Sequence, residues 1–375
     1  MSIRLFACGD IVNYTNNENF INKELKDIIK NCDFAIANFE APIYHKDMVP
    51  IPKAGPYVYQ SRESIKYLKQ SGFNIVSLAN NHIYDYGQRG LEETINELEK
   101  NEILYVGAGK NFYEAYNVKI VEKNGLKIGF LAACENEFGC LYEYKERGGY
   151  PWIFHPLIEE KIRELKPKLD FLVFIAHAGV EDIPIPLKEW REKYKRLCDL
   201  GVDVVIGHHP HVPQGYEKYN NSFIFYSLGN FYFDIPVFVK KEDDSYSVII
   251  NFFENKTINF DIIYHKKENF QVRKVKENEL KFNIIDLNNL LQNNYEERYN
   301  KICIELFKKY YYSYYVMAIK KSLKSVIFSI IKKFLKRKNF DSQKLLLLHN
   351  IRIDSHRFVV QRALSLMYEE MRGVK

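Results

Sequence analysis

The stretch "DVVIGHHPHVPQG" places His208, His209 and His211 directly after an apolar run. A buried imidazole needs partners for both ring nitrogens, and clustered imidazoles repel once charged. A metal ion relieves both conditions by taking the lone pair of the neutral ring. A polar surface loop is the other reading of this stretch alone. Polar groups also stand at the ends of four other apolar runs: Asp10 after "IRLFACG", Glu40 after "DFAIANF", Asn80, Asn81 and His82 after "FNIVSLA", and His177 after "DFLVFIA". Each has an ordinary explanation by itself. Asp10 suits a turn or a helix cap, Glu40 the surface before Pro42, the asparagines a left-handed turn, and His177 a satisfied core position. Together, carboxylates, an amide and imidazoles form the ligand set used for Mn, Fe or Zn. Two such ions in one site activate water and stabilise charge on a substrate.

Residues so far apart in the chain meet only if a scaffold gathers the ends of successive strands. The apolar runs read as strands, and between them lie helical patterns such as "FINKELKDIIKNC", "GQRGLEETINELEKN", "LIEEKIRELKPKL" and "LKEWREKYKRLCDLG". "SRESIKYLKQSG" reads as a helix with Ser61 as its N-cap, closed by Gly72. "VKIVEKNGLKIGFLAAC" reads as a hairpin turning at Asn124 and Gly125. This alternation predicts an α/β domain with helices on the outer faces of its sheets. In open α/β sheets, ligands bind at the carboxyl ends of the strands, where these polar residues collect. In "YSLGNFYFD" a Gly229 turn between two strands is preferred over a role for Asn230 and Asp234 in the site. After residue 275 the pattern becomes helical without Gly or Pro, and a second helical stretch spans 343–372. The expected division is a domain over 1–275 and a helical region over 276–375.

Six ordered segments, "GDIVNY", "NFEAP", "SLANNHIYDYG", "FIAHAGVED", "GHHPHVPQG" and "YSLGNFYFD", resemble the CapA family of capsule and poly-γ-glutamate biosynthesis proteins over roughly residues 1–265. That family resembles a branch of the calcineurin-like metallophosphoesterase superfamily. The resemblance implies a four-layer αββα sandwich and one or two divalent ions, Mn, Fe or Zn. It assigns Asp10 to a first metal, Glu40 to the bridging position, and Asn81 and His177 to a second metal. His209 and His211 then serve one metal each, and His82 is the acid near the leaving group. Asn80 and His208 are expected beside the ligands, with His208 there or exposed. Asp85 is expected to orient His82, because a working imidazole commonly needs a carboxylate on its other nitrogen. Two positions depart from the superfamily pattern: Val12 stands where its opening motif has histidine, and Glu40 where it has aspartate. One metal and two metals therefore both stay open.

Composition bounds these readings. The chain has 375 residues and 46% hydrophobic content, enough for a large core. Six cysteines without a CxxC pair argue against a disulfide framework or a zinc ribbon. The net charge of +6 is local: ten of the 54 basic residues fall between 306 and 340, leaving 44 against 48 acidic groups elsewhere. A nucleic-acid partner is therefore not expected. Nor does the chain show a signal-peptide pattern or a long apolar run, so the expected location is cytoplasmic. The segment 316–338 carries one apolar stripe among lysines. It is read either as a helix with a solvated basic face or as one lying on the inner membrane surface.

The leading expectation is a metal-dependent hydrolase of cell-surface polymer biosynthesis, acting on a phosphoester or related bond of an anionic or sugar-containing polymer or its precursor. Two others stay open. One is a non-catalytic metal-binding accessory of a membrane polymer synthase. The other is an enzyme of amide cleavage or proton transfer on a peptide-like substrate.

Overall fold

A computed structural model describes residues 1–236, 242–319 and 342–372. The strands are β1 (Ser2–Val12), β2 (Phe34–Phe39), β3 (Ile75–Ser77), β4 (Leu104–Val106), β5 (Lys119–Lys123), β6 (Leu126–Cys134), β7 (Cys140–Leu141), β8 (Tyr150–Pro151), β9 (Phe171–His177), β10 (Val204–His208), β11 (Tyr216–Tyr219), β12 (Ser222–Phe225), β13 (Asn230–Phe233), β14 (Asp243–Phe253), β15 (Ile258–Glu268) and β16 (Gln271–Lys274). One sheet runs β16-β15-β14-β1-β2-β3-β4, with β13 paired to β1. The second runs β11-β12-β10-β9-β6-β5, and β7 and β8 form a small ribbon.

The alternation of side chains in the second sheet explains the layering. Ile128, Phe130, Phe171, Val173, Val204 and Ile206 join the core shared with β1, β2 and β3. Their neighbours Leu131, Leu172, Phe174 and Val205 join a second core with Ile158, Ile162, Trp190, Tyr194 and Leu197 of the helices Pro156–Leu165 and Lys188–Asp199. A strand buried on both faces must be apolar throughout, as these are. The helices Lys23–Lys30, Ser64–Ser71 and Gly87–Lys100 pack Leu25, Ile29, Ile65, Leu68, Leu91 and Ile95 into the core of the first sheet. The result is the expected four-layer αββα sandwich.

The hairpin turns where expected, with Asn124 and Gly125 both left-handed (φ 54° and 74°) between antiparallel β5 and β6. The helix expected to start after Ser61 instead starts at Ser64, with Glu63 at its N-cap. Ser61 Oγ accepts from Glu63 N and donates to Asn16 Oδ1, so it holds the preceding turn rather than the helix end.

Among the described residues, the C-terminal pattern, read as two long helical stretches, is interrupted within each. Helices Ile284–Leu290 and Tyr295–Leu306 are separated at Asn294, which is left-handed (φ 58°). Helices Ser342–Arg352 and Asp354–Met371 are separated at Ile353, whose backbone is extended (φ −66°, ψ 121°). Leu291, Tyr299, Cys303, Val359 and Ala363 enter the second core beside Trp190 and Tyr194. Most of the expected basic helix over 316–338 falls at 320–341, outside the described residues; Val316 to Ile319 end the helix Tyr312–Ile319. Among the described residues, no helix is long and apolar enough to cross a membrane.

His265 of β15 is wholly buried, its ring edge-on to Phe231 at 4.9 Å. Burial pushes its pKa down to about 3. The unfolded chain takes up this proton near the ordinary value of about 6.5, before the folded one does. The group's contribution is therefore complete above that pH. It is lost as pH falls toward the folded value, at up to about 1.4 kcal/mol per pH unit. His265→Phe is expected to flatten the fall in thermal midpoint between pH 6 and 4. An acid limb identical to wild type in thermal melts would reject this assignment.

Candidate metal centre

The candidate groups are carried at or just after the ends of β1, β2 and β3, parallel neighbours in one sheet, and of β9 and β10, parallel neighbours in the other. Gly9 lets β13 approach β1: a Cβ there would sit 1.8 Å from the Gly229 carbonyl oxygen. Asp10 N donates to that oxygen at 3.1 Å, and Asp10 and Asn230 become register partners. On β2, Asn38 lies two residues before Glu40 and shares its direction. After β10 the chain turns through left-handed backbone at His209 (φ 97°) and His211 (φ 57°). Such conformations cost free energy for a non-glycine residue and cluster at functional sites.

Among the described residues, two of the three resulting groups of ligand atoms overlap at Glu40. In the first, His177 Nε2 lies 3.1 Å from His209 Nδ1, 3.1 Å from Asn81 Oδ1 and 3.9 Å from Glu40 Oε1. In the second, His211 lies 3.7 Å from Glu40 Oε1 through Nε2 and 3.4 Å from Asp10 Oδ2 through Nδ1. Glu40 belongs to both groups. Ligands about 2.0–2.1 Å from a tetrahedral ion lie roughly 3.3–3.4 Å apart, close to several of these separations.

The electrostatics fit a cation. Glu40 is fully buried and its Oε1 has no hydrogen-bond partner among the described residues. Burial, and then the Asp10 carboxylate, hold its pKa well above the usual range. For Asp10, burial acts in the same direction, but the contacts from His208 and His211 outweigh it and hold its pKa well below that range. Burial lowers His177 strongly and His209 to about 4, which leaves their lone pairs free. Burial also disfavours charge on His211, but Glu40 and Asp10 outweigh it and raise its pKa. A buried carboxylate pair ringed by imidazoles is costly by itself and is relieved by a divalent ion.

Beside these groups, His82 Nδ1 lies 2.8 Å from Asp85 Oδ2, and Asp85 also accepts from Val58 N at 2.8 Å. Lys53 forms a buried ion pair with Asp85. The expected His82–Asp85 pair is thus in contact. Burial lowers the His82 pKa, and Asp85 partly offsets that.

The structure therefore gathers Asp10, Glu40, Asn81, His177, His209 and His211. Asn80 stands behind them, donating to the Phe39 carbonyl at 2.9 Å and to Asn38 Oδ1 at 3.3 Å. His208 is not exposed. It is buried, with Nδ1 3.2 Å from Asp10 Oδ1. Asn230, assigned from sequence to a turn, instead reaches His211 Nδ1 at 2.9 Å because β13 lies against β1. Asp234 stays outside, accepting from Tyr14 N and Thr15 N.

Several residues at the site were not anticipated. Asn38 Nδ2 lies 2.8 Å from Asp10 Oδ1 and 3.1 Å from His177 Nδ1. Its signal was legible: a polar residue in an apolar strand, on the face of Glu40. Glu181, exposed at the rim, groups with His209 and His211 and lies within the quoted segment "FIAHAGVED". Glu137 is buried with its pKa raised to about 7, mainly by burial. Lys53 carried no local signal, because its partner is 32 positions away.

A two-sheet sandwich with these groups at its strand ends has the metallophosphoesterase-like architecture that the ordered motifs implied. Residues 4–235 match the bacterial capsule synthesis protein family PGA_cap, and the chain belongs to that family. It is 33% identical over 231 residues to the capsule biosynthesis protein CapA of Bacillus anthracis, covering 60% of this chain and 56% of that protein. To the PGA biosynthesis protein CapA of Bacillus subtilis it is 34% identical over 212 residues, covering 55% of each. The chain thus matches little more than half the length of these relatives. A solved 5'-nucleotidase precursor from Thermus thermophilus aligns with 82% of this chain and 60% of its own, at 11% identity and a TM-score of 0.43.

Proposed function

We propose that this chain is a metal-dependent hydrolase acting in the synthesis or tailoring of a capsule, poly-γ-glutamate or another cell-surface polymer. The observation that carries this reading is the convergence of Glu40 Oε1, Asn81 Oδ1, His177 Nε2 and His209 Nδ1, with Glu40 Oε1 buried and unpartnered. Those four groups would hold one divalent ion. Asp10, Glu40 and His211 would hold a second, with His208 against the Asp10 carboxylate. When bound, such an ion activates water and polarises a phosphoryl or carbonyl oxygen.

The chain's own groups would supply the remainder. Asp85 would fix the ring of His82 through Nδ1, leaving Nε2 to give a proton to the departing group. In this reading residues 1–275 carry the metal ligands, and the basic segment over 316–338 would meet an anionic membrane surface or a polymer synthase.

The test is a turnover assay of the full chain loaded with Mn, Fe or Zn. Phosphoester and γ-glutamyl amide substrates would be assayed in parallel. Phosphate release is the expected result. Amide cleavage alone would move the chemistry to peptide bonds, and tight metal binding without any turnover would leave an accessory role.

A further inference from the structure

The last helix, Asp354–Met371, lies outside the matched residues 4–235, yet its first turn reaches the candidate metal centre. The contact runs through Glu135, the first residue after β6. Glu135 is fully buried and, among the described residues, has no cationic partner within hydrogen-bond distance. Its Oε2 accepts from Ser355 N at 2.8 Å, and its Oε1 from Ser355 Oγ at 2.9 Å and Gly179 N at 3.0 Å. The N–H groups of a helix's first turn lack partners within the helix and favour a carboxylate. Ser355 Oγ is itself fixed by Trp190 Nε1 at 2.8 Å. Asp354 ties down the adjoining segment, accepting from Asn136 N at 3.0 Å and Trp152 Nε1 at 2.8 Å.

Glu135 so held faces a ligand. His209 turns Nδ1 to His177 at 3.1 Å and presents Nε2 to Glu135 Oε1 at 3.8 Å, close but longer than a hydrogen bond. A ligating imidazole commonly has a carboxylate on its other nitrogen, which fixes ring and tautomer. We infer that Glu135, locked by Ser355 at the start of the last helix, is the positioning carboxylate for His209, so that the C-terminal helices complete the metal centre. This inference rests on the metal-site reading above. Breaking Ser355's bond frees the carboxylate to turn and leaves the His209 ring less defined.

The experiment is calorimetric titration of the full-length protein with Mn²⁺ and, separately, Zn²⁺. Removal of such supporting groups typically costs about 10–100-fold in metal affinity. Glu135→Gln is expected to fall in that range, and Ser355→Ala near its lower end. Ser355→Thr, which retains the hydroxyl, is expected to restore near wild-type affinity. Val359→Ala, a buried truncation about one turn further along the same helix that leaves the Ser355 hydroxyl and the Glu135 carboxylate in place, controls for loss of stability. It is expected to bind metal as wild type does. Wild-type affinity in both Ser355→Ala and Glu135→Gln would overturn the inference. So would an equal loss in Val359→Ala. A wild-type chain that binds neither ion would overturn the metal-site reading itself, and this inference with it.

Discussion

His209→Ala is expected to strip the protein of metal. Its Nδ1 lies 3.1 Å from His177 Nε2, and the residue belongs to two of the three ligand groups found among the described residues. Loss of a directly ligating group should exceed the roughly 10–100-fold cost of removing a supporting one. Elemental analysis of purified wild-type protein should give one or two equivalents of Mn, Fe or Zn per chain. His209→Ala should lose at least one. Comparison with His211→Ala resolves the number of ions, since His211 also joins Asp10 and Glu40 in a group that lacks His209. Two independent losses mean two ions. Unchanged metal content in His209→Ala would remove the ligand assignment. Metal binding should also raise the thermal midpoint of wild type, because ligand that binds only the folded state adds about 2.7 kcal/mol at 100 times Kd.

His82→Ala should lower kcat by about 100- to 10,000-fold, the usual contribution of a placed general acid, while metal content stays at the wild-type level. Asp85→Asn should act on the same step through His82, with a smaller loss and a shifted pH profile. It also strands Lys53. The Lys53–Asp85 ion pair is nearly inaccessible to solvent, and removing one partner of such a pair costs about 3–5 kcal/mol. The double variant Lys53→Met with Asp85→Asn should regain much of that stability without regaining turnover. This separates the pair's structural role from the orientation of His82. Metal loss in His82→Ala would move His82 from proton donor to ligand.

What the sequence determined by itself is the placement of polar groups at strand ends. Asp10, Glu40, Asn81, His177, His209 and His211 follow apolar runs, and in an α/β sandwich such ends must face one side. Local chemistry was also legible. The Asn124–Gly125 turn needs left-handed backbone and has it. His82 and Asp85 are close enough in sequence for one turn to join them.

Tertiary structure decided what depends on pairings across long separations. Asn230 reaches His211 only because β13 runs parallel to β1 across the side-chain-free face of Gly9. His208 is buried on Asp10 rather than solvated, because β10 places its side chain toward the end of β1. Glu135 stood at the end of β6 in plain view, but its meaning lay 220 residues away at Ser355. Nor did the apolar pattern of the last helices show a break at Ile353, a single extended residue between two helices. That break aims the first turn of the final helix at Glu135, and no local propensity encodes such an aim.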